Sequence, residues 1–413
     1  MQLEKIIKSL LDLGLTKPIE EMVLFTDEPK FPAFVTVPNE ILSKLFDTTL
    51  IFGQGLSKDK EYARLKSIAE CVERICLFHS KDGSMLQEEF HNQSNFIDPS
   101  YFNCFSEEQL LNNYNTHLKN IKEAKYYWKE VTDEITGLKK FIPAQLVYLS
   151  EMFKNEILIR EQISTGTAIY TNKNQALISG TLEVLERDAY MTAYLNKKEI
   201  KKINNDNKEI KELIDYLNRY ELYPHIFDIT NDLAVPSVMT ITLDYTGIGP
   251  AVNVGLRSDF CYKNAIIGSL MESIQCRRIT RLMKETNPNK IITEDDVNDL
   301  SNRYLYWYDV SKIKDLEFWL STNNTISLSK LEEKNIDQEM GFNYIKNKLS
   351  NLGYNIFSAD ITWDEVRNAG FNVSKIIIPE LQPLYLNEKL KCLYSKHGGN
   401  IRDDSTLKPH PFT

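Results

Sequence analysis

Between residues 59 and 79, Leu65, Ile68, Ala69, Val72, Ile75 and Cys76 recur at helical spacing, which predicts a helix from Asp59 to His79. The same period predicts helices over about Lys173–Asn196 and Tyr262–Lys284. In the opening stretch, MQLEKIIKSLLDLGL, the charges of Lys5, Lys8 and Asp12 interrupt the apolar residues, so it reads as a short amphipathic helix and not as a signal peptide. Alternation or short apolar runs bounded by turn residues predict strands in AFVTVP, FIPAQLVYL, HIFDIT, PSVMTITLDYT, AVNVGLR, YNIFSADIT and KIIIP. WDEVRNAG reads as a helix with a glycine stop. Residues 80–125 are polar, with clustered Asn and Ser, and are expected to form a surface excursion; KKEIKKINNDNKEIKELIDYLNRY is expected to be an exposed helix pair. The final KPHPFT should run extended. Together these elements predict a mixed α/β architecture with helices packed on sheets. We divide the chain into an N-terminal extension, 1–48, and one large unit, 49–413.

Composition narrows the classes. At 413 residues, 42% apolar and 26% charged, the chain has the make-up of a globular protein with a sizeable core. A net charge of −9 gives no reason to expect a nucleic-acid or anionic-membrane partner, and no apolar run is long enough to span a bilayer. Six cysteines (71, 76, 104, 261, 276 and 392) form no CxxC pair, so neither disulfides nor a structural zinc is expected, and a cytoplasmic location follows.

A phrase recurs along this framework. Gly53, Ala63 and Glu70 stand at the same offsets as Gly166, Ala176 and Glu183, and as Gly255, Ala265 and Glu272. The shared pattern is Gly-x9-Ala-x6-Glu-x2-(Glu/Gln), ending in Glu73, Glu186 and Gln275 and followed by Arg74, Arg187 or, one position later, Arg277. Positions i and i+3 share a helix face, so each copy sets two polar groups side by side near the middle of a helix. One ExxER on an amphipathic helix is usually a solvated edge with an internal ion pair. Three copies at matched offsets predict convergence: Glu70, Glu73, Glu183, Glu186 and Glu272 around one cavity. Such carboxylates need counter-charge, and hard divalent cations supply it. Magnesium commonly combines few protein ligands with phosphate oxygens, which predicts Mg-ATP; Arg74, Arg187 and Arg277 could meet phosphates or lock the acids. No GxxxxGK[ST] occurs, so the nucleotide site is not a P-loop, and TGIGPAVNVG reads as a hairpin turn.

At these residues the chain resembles the YcaO family, ATP-using enzymes that modify peptide backbone amides. ARLKSIAECVER, STGTAIYTNKNQALISGTLEVLERDA and NAIIGSLMESIQCRR match its three motifs in order, and the likeness runs from about Thr49 to the C-terminus. IIIPELQPLYLNE and the proline-containing tail resemble the azoline-forming branch. The resemblance implies that Glu70, Glu73, Glu183, Glu186 and Glu272 hold magnesium, and that Lys66, Arg74, Ser164, Ala168, Thr171, Arg187, Gln275 and Arg277 serve the nucleotide or order the acids. Lys66 stands where the family often has Ser, and Tyr170 and Thr171 replace a Gly-Asn pair. The tail ends Pro409-His410-Pro411-Phe412-Thr413, where relatives often end Pro-x-Pro-x-Pro, and Pro409, Pro411 and Thr413 are its catalytic candidates. His79 and His410 are the conspicuous histidines, and neither is nominated as a base.

The implied activity is ATP-dependent cyclodehydration of Cys, Ser or Thr in a ribosomal precursor peptide, giving thiazoline or oxazoline. The first 50 residues are too few for a fused E1-like segment, so a separate leader-binding E1-like partner is expected, with self-association as a homodimer possible by the same resemblance. Thioamide or amidine formation and a non-catalytic ATP-binding scaffold are the alternatives.

Overall fold

The computed structural model describes residues 2–46, 51–78, 85–89, 95–111, 121, 124–331, 336–404 and 406–412. Helix α1 (Gln2–Leu11) buries Ile7 and Leu10. Strands β1 (Glu20–Glu21) and β2 (Ala33–Thr36), helix α2 (Glu40–Phe46) and strand β3 (Gly53–Leu56) follow, and the strands pair antiparallel in the order β1-β2-β3, with Thr36 opposite Gly53. Helix α3 (Lys60–Phe78) packs on β3. Strands on both sides of residue 48 share this sheet, so the N-terminal segment is built into the body that carries α3.

Strands β4 (Leu86–Glu89), β5 (Lys125–Asp133), β6 (Lys139–Pro143) and β7 (Thr167–Tyr170), with the short helix α4 (Glu107–Leu111), begin a second sheet, and α5 (Lys173–Leu195) follows it. Asn172 caps α5 by accepting the backbone N–H groups of Asn174 and Gln175. The third sheet holds β8 (Lys201–Asn204), β9 (Leu222–Asp228), β10 (Ser237–Asp244), β11 (Val252–Ser258) and β12 (Thr325–Ser327) in the order β11-β10-β9-β8-β12, with α6 (Lys208–Asn218) between β8 and β9 in sequence. Helix α7 (Tyr262–Thr286) lies on β10 and β11. The chain then returns through β13 (Phe357–Asp360) and β14 (Asn372–Ile377) to finish the second sheet, β4-β5-β13-β14-β7 with β6 beside β5. Helix α5 packs on β7 and β14.

Three elements differ from expectation. The charged stretch is one strand and one helix, not two helices: Ile203 of β8 is buried in the third sheet, and Asn207 caps α6 by accepting from Glu209 and Ile210. FIPAQLVYL stops being a strand at Pro143 and turns into a 3-10 segment, Ala144–Leu146. There the buried Gln145 side chain donates to Glu156 and the Ile157 carbonyl and accepts from the Ile159 amide, replacing a strand ladder. Where 80–125 is described it is no mere surface excursion, since β4 pairs with β5 and Phe102, Cys104 and Phe105 are buried. The six cysteines are free, and no helix among the described residues is long and apolar enough to cross a membrane.

Candidate functional site: an acid-lined cavity beneath three helices

The recurring glycines are points where a strand touches a helix backbone. A Cβ on Gly53 would lie 2.0 Å from the Ser67 carbonyl oxygen and 2.3 Å from the Cys71 nitrogen. On Gly255 it would lie 2.1 Å from the Ser269 oxygen and 2.5 Å from the Ser273 nitrogen. In the second segment two glycines share the contact, because a Cβ on Gly180 would come 2.5 Å from the Gly166 oxygen. Gly166 also sits at φ +88°, a left-handed conformation that suits glycine. Buried hydroxyl pairs pin two of these contacts: Thr36 to Ser67 at 2.6 Å and Thr240 to Ser269 at 2.7 Å.

This approach brings strand amides within reach of the first acid on each helix. Gln54 N–H donates to Glu70 at 2.7 Å, Gly166 N–H to Glu183 at 3.0 Å and Leu256 N–H to Glu272 at 2.5 Å. One carboxylate oxygen is thereby fixed, and the other is free to meet a cation. On α3 and α5 it meets the arginine four residues on: Arg74 to Glu70 at 3.2 Å and Arg187 to Glu183 at 3.3 Å. On α7 that position is Cys276, and the charge of Arg187 bears on Glu272 instead.

Between the helices lies a cavity of about 930 Å³. Glu70, Glu73, Glu183 and Glu272 line it with Arg74 and Arg187, joined by Gln275 and by Ser164 from the turn ahead of β7. Phe46, Phe52, Phe78 and Leu149 supply apolar wall. Burial, and then the charge of Glu183, push Glu73 well above the usual carboxylate range, and burial also raises Glu272. Burial opposes the charge on Arg74, but Glu70, Glu73 and Glu183 outweigh it and strengthen the guanidinium's hold on its proton. Among the described residues the Nε–H of both Arg74 and Arg187 is buried without an acceptor.

The donor set suits a hard cation carried by a polyphosphate. Among the described residues there is no group of three or more acidic, His or Cys side chains close enough to hold a metal ion by themselves. Magnesium needs no such group, since it usually takes one or two carboxylates and fills its shell with water and phosphate oxygens.

Comparison with known proteins agrees. A family model described as YcaO cyclodehydratase, ATP- and Mg2+-binding, matches residues 53–382. The chain belongs to the YcaO family. Among solved structures, the fold resembles a heterocyclase in complex with substrate and cofactor, with a TM-score of 0.73 at 17% identity over 92% of this chain and 52% of that one. It also resembles YcaO from Methanopyrus kandleri bound with AMPPCP and Mg2+, with a TM-score of 0.66 at 14% identity over 92% and 91% of the two chains. The E. coli microcin synthetase McbBCD complex gives a TM-score of 0.65 at 16% identity, covering 96% of each chain. The chain thus spans about half the length of the first and nearly all of the other two. No curated protein matches the sequence significantly.

Several residues expected at the site of this YcaO protein stand elsewhere. Glu186 is spent behind the cavity wall: it accepts the Ser258 N–H at 2.6 Å and pairs with Arg187, joining α5 to β11. Arg277 is not on the cavity wall. It is buried among Glu28 (2.9 Å), Asp244 (2.7 Å) and the Pro250 carbonyl (2.9 Å). Lys66, Ala168 and Thr171 are also absent from the wall. The Lys66 ammonium reaches the Leu56 carbonyl at 3.3 Å, and burial and the neighbouring Arg257 charge lower its pKa. Ala168 pairs with Ser374 in the sheet, and the Thr171 carbonyl accepts from Asn372.

The tail threads inward. Trp307 Nε1 donates to the Pro409 carbonyl at 3.1 Å, and Arg303 to the His410 carbonyl at 2.8 Å. Burial, then the Arg303 charge, drive His410 well below its ordinary pKa, so it is a neutral packed ring. Pro409 and Pro411 are not on the cavity wall, but Phe412 is, with its ring centroid 4.3 Å from the Arg187 guanidinium carbon. His79 and Thr413 lie outside the described residues. Sequence reasoning missed Phe412 and also Lys375. Lys375 is a lysine inside the apolar run Val373–Ile378, and burial brings its pKa down to about 7 against the pull of Glu183. An unpaired lysine in such a run was the available signal.

Proposed function

We propose that this YcaO protein is an ATP-dependent cyclodehydratase acting on a ribosomally made precursor peptide. The observation that carries the reading is the convergence of four carboxylates and two arginines from α3, α5 and α7 on one cavity. Glu70, Glu73, Glu183 and Glu272 would hold the cation, Arg74 and Arg187 would meet phosphate oxygens, and Gln275 and Ser164 would bound the nucleotide. Magnesium, when bound, neutralises the β- and γ-phosphates and favours attack at the γ-phosphorus.

A substrate Cys, Ser or Thr side chain gives up its thiol or hydroxyl proton and adds to the preceding backbone carbonyl, whose π electrons pass to oxygen, and the resulting hemiorthoamide oxygen attacks the γ-phosphate. ADP leaves; the former amide oxygen then departs within inorganic phosphate, the amide nitrogen loses its proton, and the C=N bond of the azoline forms. Amide oxygen is a poor leaving group and phosphate a good one, so ATP serves as a stoichiometric activator. The residues here align reactants and offset charge, which suits a reaction dominated by positioning and electrostatics.

A peptide substrate and a separate partner are supported by the McbBCD complex with pro-MccB17 bound, a fold neighbour at a TM-score of 0.65. The test is intact mass of a candidate precursor peptide incubated with this protein, ATP, Mg2+ and the expected E1-like partner. Loss of one water per modified residue with matched ADP release supports cyclodehydration. Exchange of oxygen for sulfur moves the reading to thioamide formation, and tight ATP binding with no turnover on any peptide moves it to a scaffold.

A further inference from the structure

The turn that leads into β7 places Ile163, Ser164 and Thr165 on the cavity wall, and these three stand ahead of the β7–β14 register, which begins at Thr167. Its carbonyls must still be satisfied, and they can be accounted for one by one. Ser164 O accepts the Thr167 N–H at 3.1 Å and the Thr167 hydroxyl at 2.6 Å. Gly166 O accepts the Ile376 N–H at 2.8 Å. The other two go to a single side chain, for Lys375 Nζ donates to Ile163 O at 2.7 Å and to Thr165 O at 2.6 Å.

Lys375 is 1% exposed and stands opposite Thr167 in the β7–β14 ladder, so its stem rises from the sheet directly beneath the turn. The other two acid-bearing segments fasten strand to helix with Thr–Ser hydroxyl pairs, Thr36–Ser67 and Thr240–Ser269. In the middle segment the corresponding helix position is Gly180, which has no hydroxyl. The charges that bear on the ammonium are Glu183 and Glu73 on one side, Arg160 and Arg74 on the other. Two of those four are cavity carboxylates, so Lys375 also balances the acid cluster from behind.

We infer that Lys375 is a positioning residue, whose ammonium clamps the Ile163–Gly166 turn so that Ser164 and the Gly166–Glu183 contact are held in place for the nucleotide's phosphates. The inference rests on the nucleotide reading above. It differs from a role in the sheet alone because the clamp acts on turn carbonyls, whereas β14 is joined to β13 and β7 by backbone pairing.

The experiment compares wild type, Lys375→Met and Lys375→Arg by hydrogen exchange and by Mg-ATP titration. With Met, amides of residues 163–167 should exchange faster while those of β13 and β14 away from the turn do not change. The dissociation constant for Mg-ATP should rise about tenfold or more, as expected when two buried carbonyls lose their hydrogen-bond donor. Arg should restore both in part, and in turnover KM for ATP should rise with KM for peptide unchanged. Unchanged exchange in the turn overturns the clamp, as does wild-type nucleotide affinity in Lys375→Met. Exchange that quickens throughout β13 and β14 would make Lys375 a core residue only and equally overturn it. If wild type binds no nucleotide, the proposed function fails by itself, and the exchange comparison still decides whether the clamp exists.

Discussion

At the scale of single residues, the site is a problem of charge. Burial, then Glu183, hold the pKa of Glu73 high, and burial raises Glu272. A proton held there must leave before the oxygen can ligate a cation. Mg-ATP binding should therefore release protons and tighten as pH rises above the ordinary carboxylate range. Titration calorimetry in two buffers of different ionisation enthalpy measures the release directly; zero proton exchange would mean both acids are already ionised. The acids on the wall were legible from their i, i+3 spacing, but the direction of Arg277 was not. Arg74 and Arg187 lie four residues past their acids and fall almost beneath them, whereas Arg277 lies five past Glu272 and is turned about 100° further round the helix. That single step sends it to Glu28 and Asp244. Glu186 shares the offset of Glu73 yet leaves the cavity because the Ser258 amide claims it, a tertiary partner that no local spacing reveals.

At the scale of elements, the unit of construction is a strand glycine seated on a helix backbone, with an amide passed to the helix's first acid. Only absence of a Cβ permits this contact at Gly53 and Gly255. Gly255→Ala would force the methyl group against the Ser269 oxygen and the Ser273 nitrogen, atoms of helix backbone that cannot swing aside. Destabilisation of about 1–3 kcal/mol or more is expected, with α7 lifted from β11 and Glu272 drawn off the Leu256 amide. Thermal melting checks the first effect, and loss of Mg-ATP affinity in protein that remains folded checks the second; a variant with wild-type melting and binding would refute the contact. The three long helices and most strands were legible because periodicity records burial. The strand β8 was hidden because Lys201, Lys202 and Asn204 surround one informative residue, Ile203. Likewise, the 3-10 turn at Ala144–Leu146 is set by the side-chain bonds of Gln145, not by its apolar neighbours.

At the scale of the molecule, distant segments are tied to the back of α5. His397 Nδ1 contacts Asp188 at 2.9 Å and Nε2 contacts Asp232 at 2.8 Å, while Asp188 also accepts the Gln382 N–H at 2.7 Å. Burial alone would lower the imidazole's pKa, but the two carboxylates bring it up to about 9. A folded-state value above the unfolded one, about 6.5, gives stability that is complete below pH 6.5 and is lost as pH rises toward 9. Urea midpoints should fall across that window, and His397→Gln should flatten the decline; an equal slope in both proteins would remove His397 as its cause. The tail fastens the same region, with Tyr194 of α5 donating to the Lys408 carbonyl at 2.8 Å and Phe412 covering Arg187. Alternating prolines made an extended tail legible, but its destination could not be read, because Arg303 and Trp307, which receive it, lie more than a hundred residues upstream, and Tyr385 joins them from another segment.

The central claim, that the cavity beneath α3, α5 and α7 is a Mg-nucleotide site, is tested most directly by titrating ATP into the wild-type chain and into Glu70→Gln and Glu183→Gln, with and without Mg2+. Glutamine keeps an acceptor for the Gln54 or Gly166 amide, so the helices should stay seated while one cavity charge is lost. The account predicts one Mg2+-dependent site in wild type and at least tenfold weaker binding in each variant, in line with the loss of a charged ligand. Equal affinity in all three proteins, or binding indifferent to Mg2+, would contradict it.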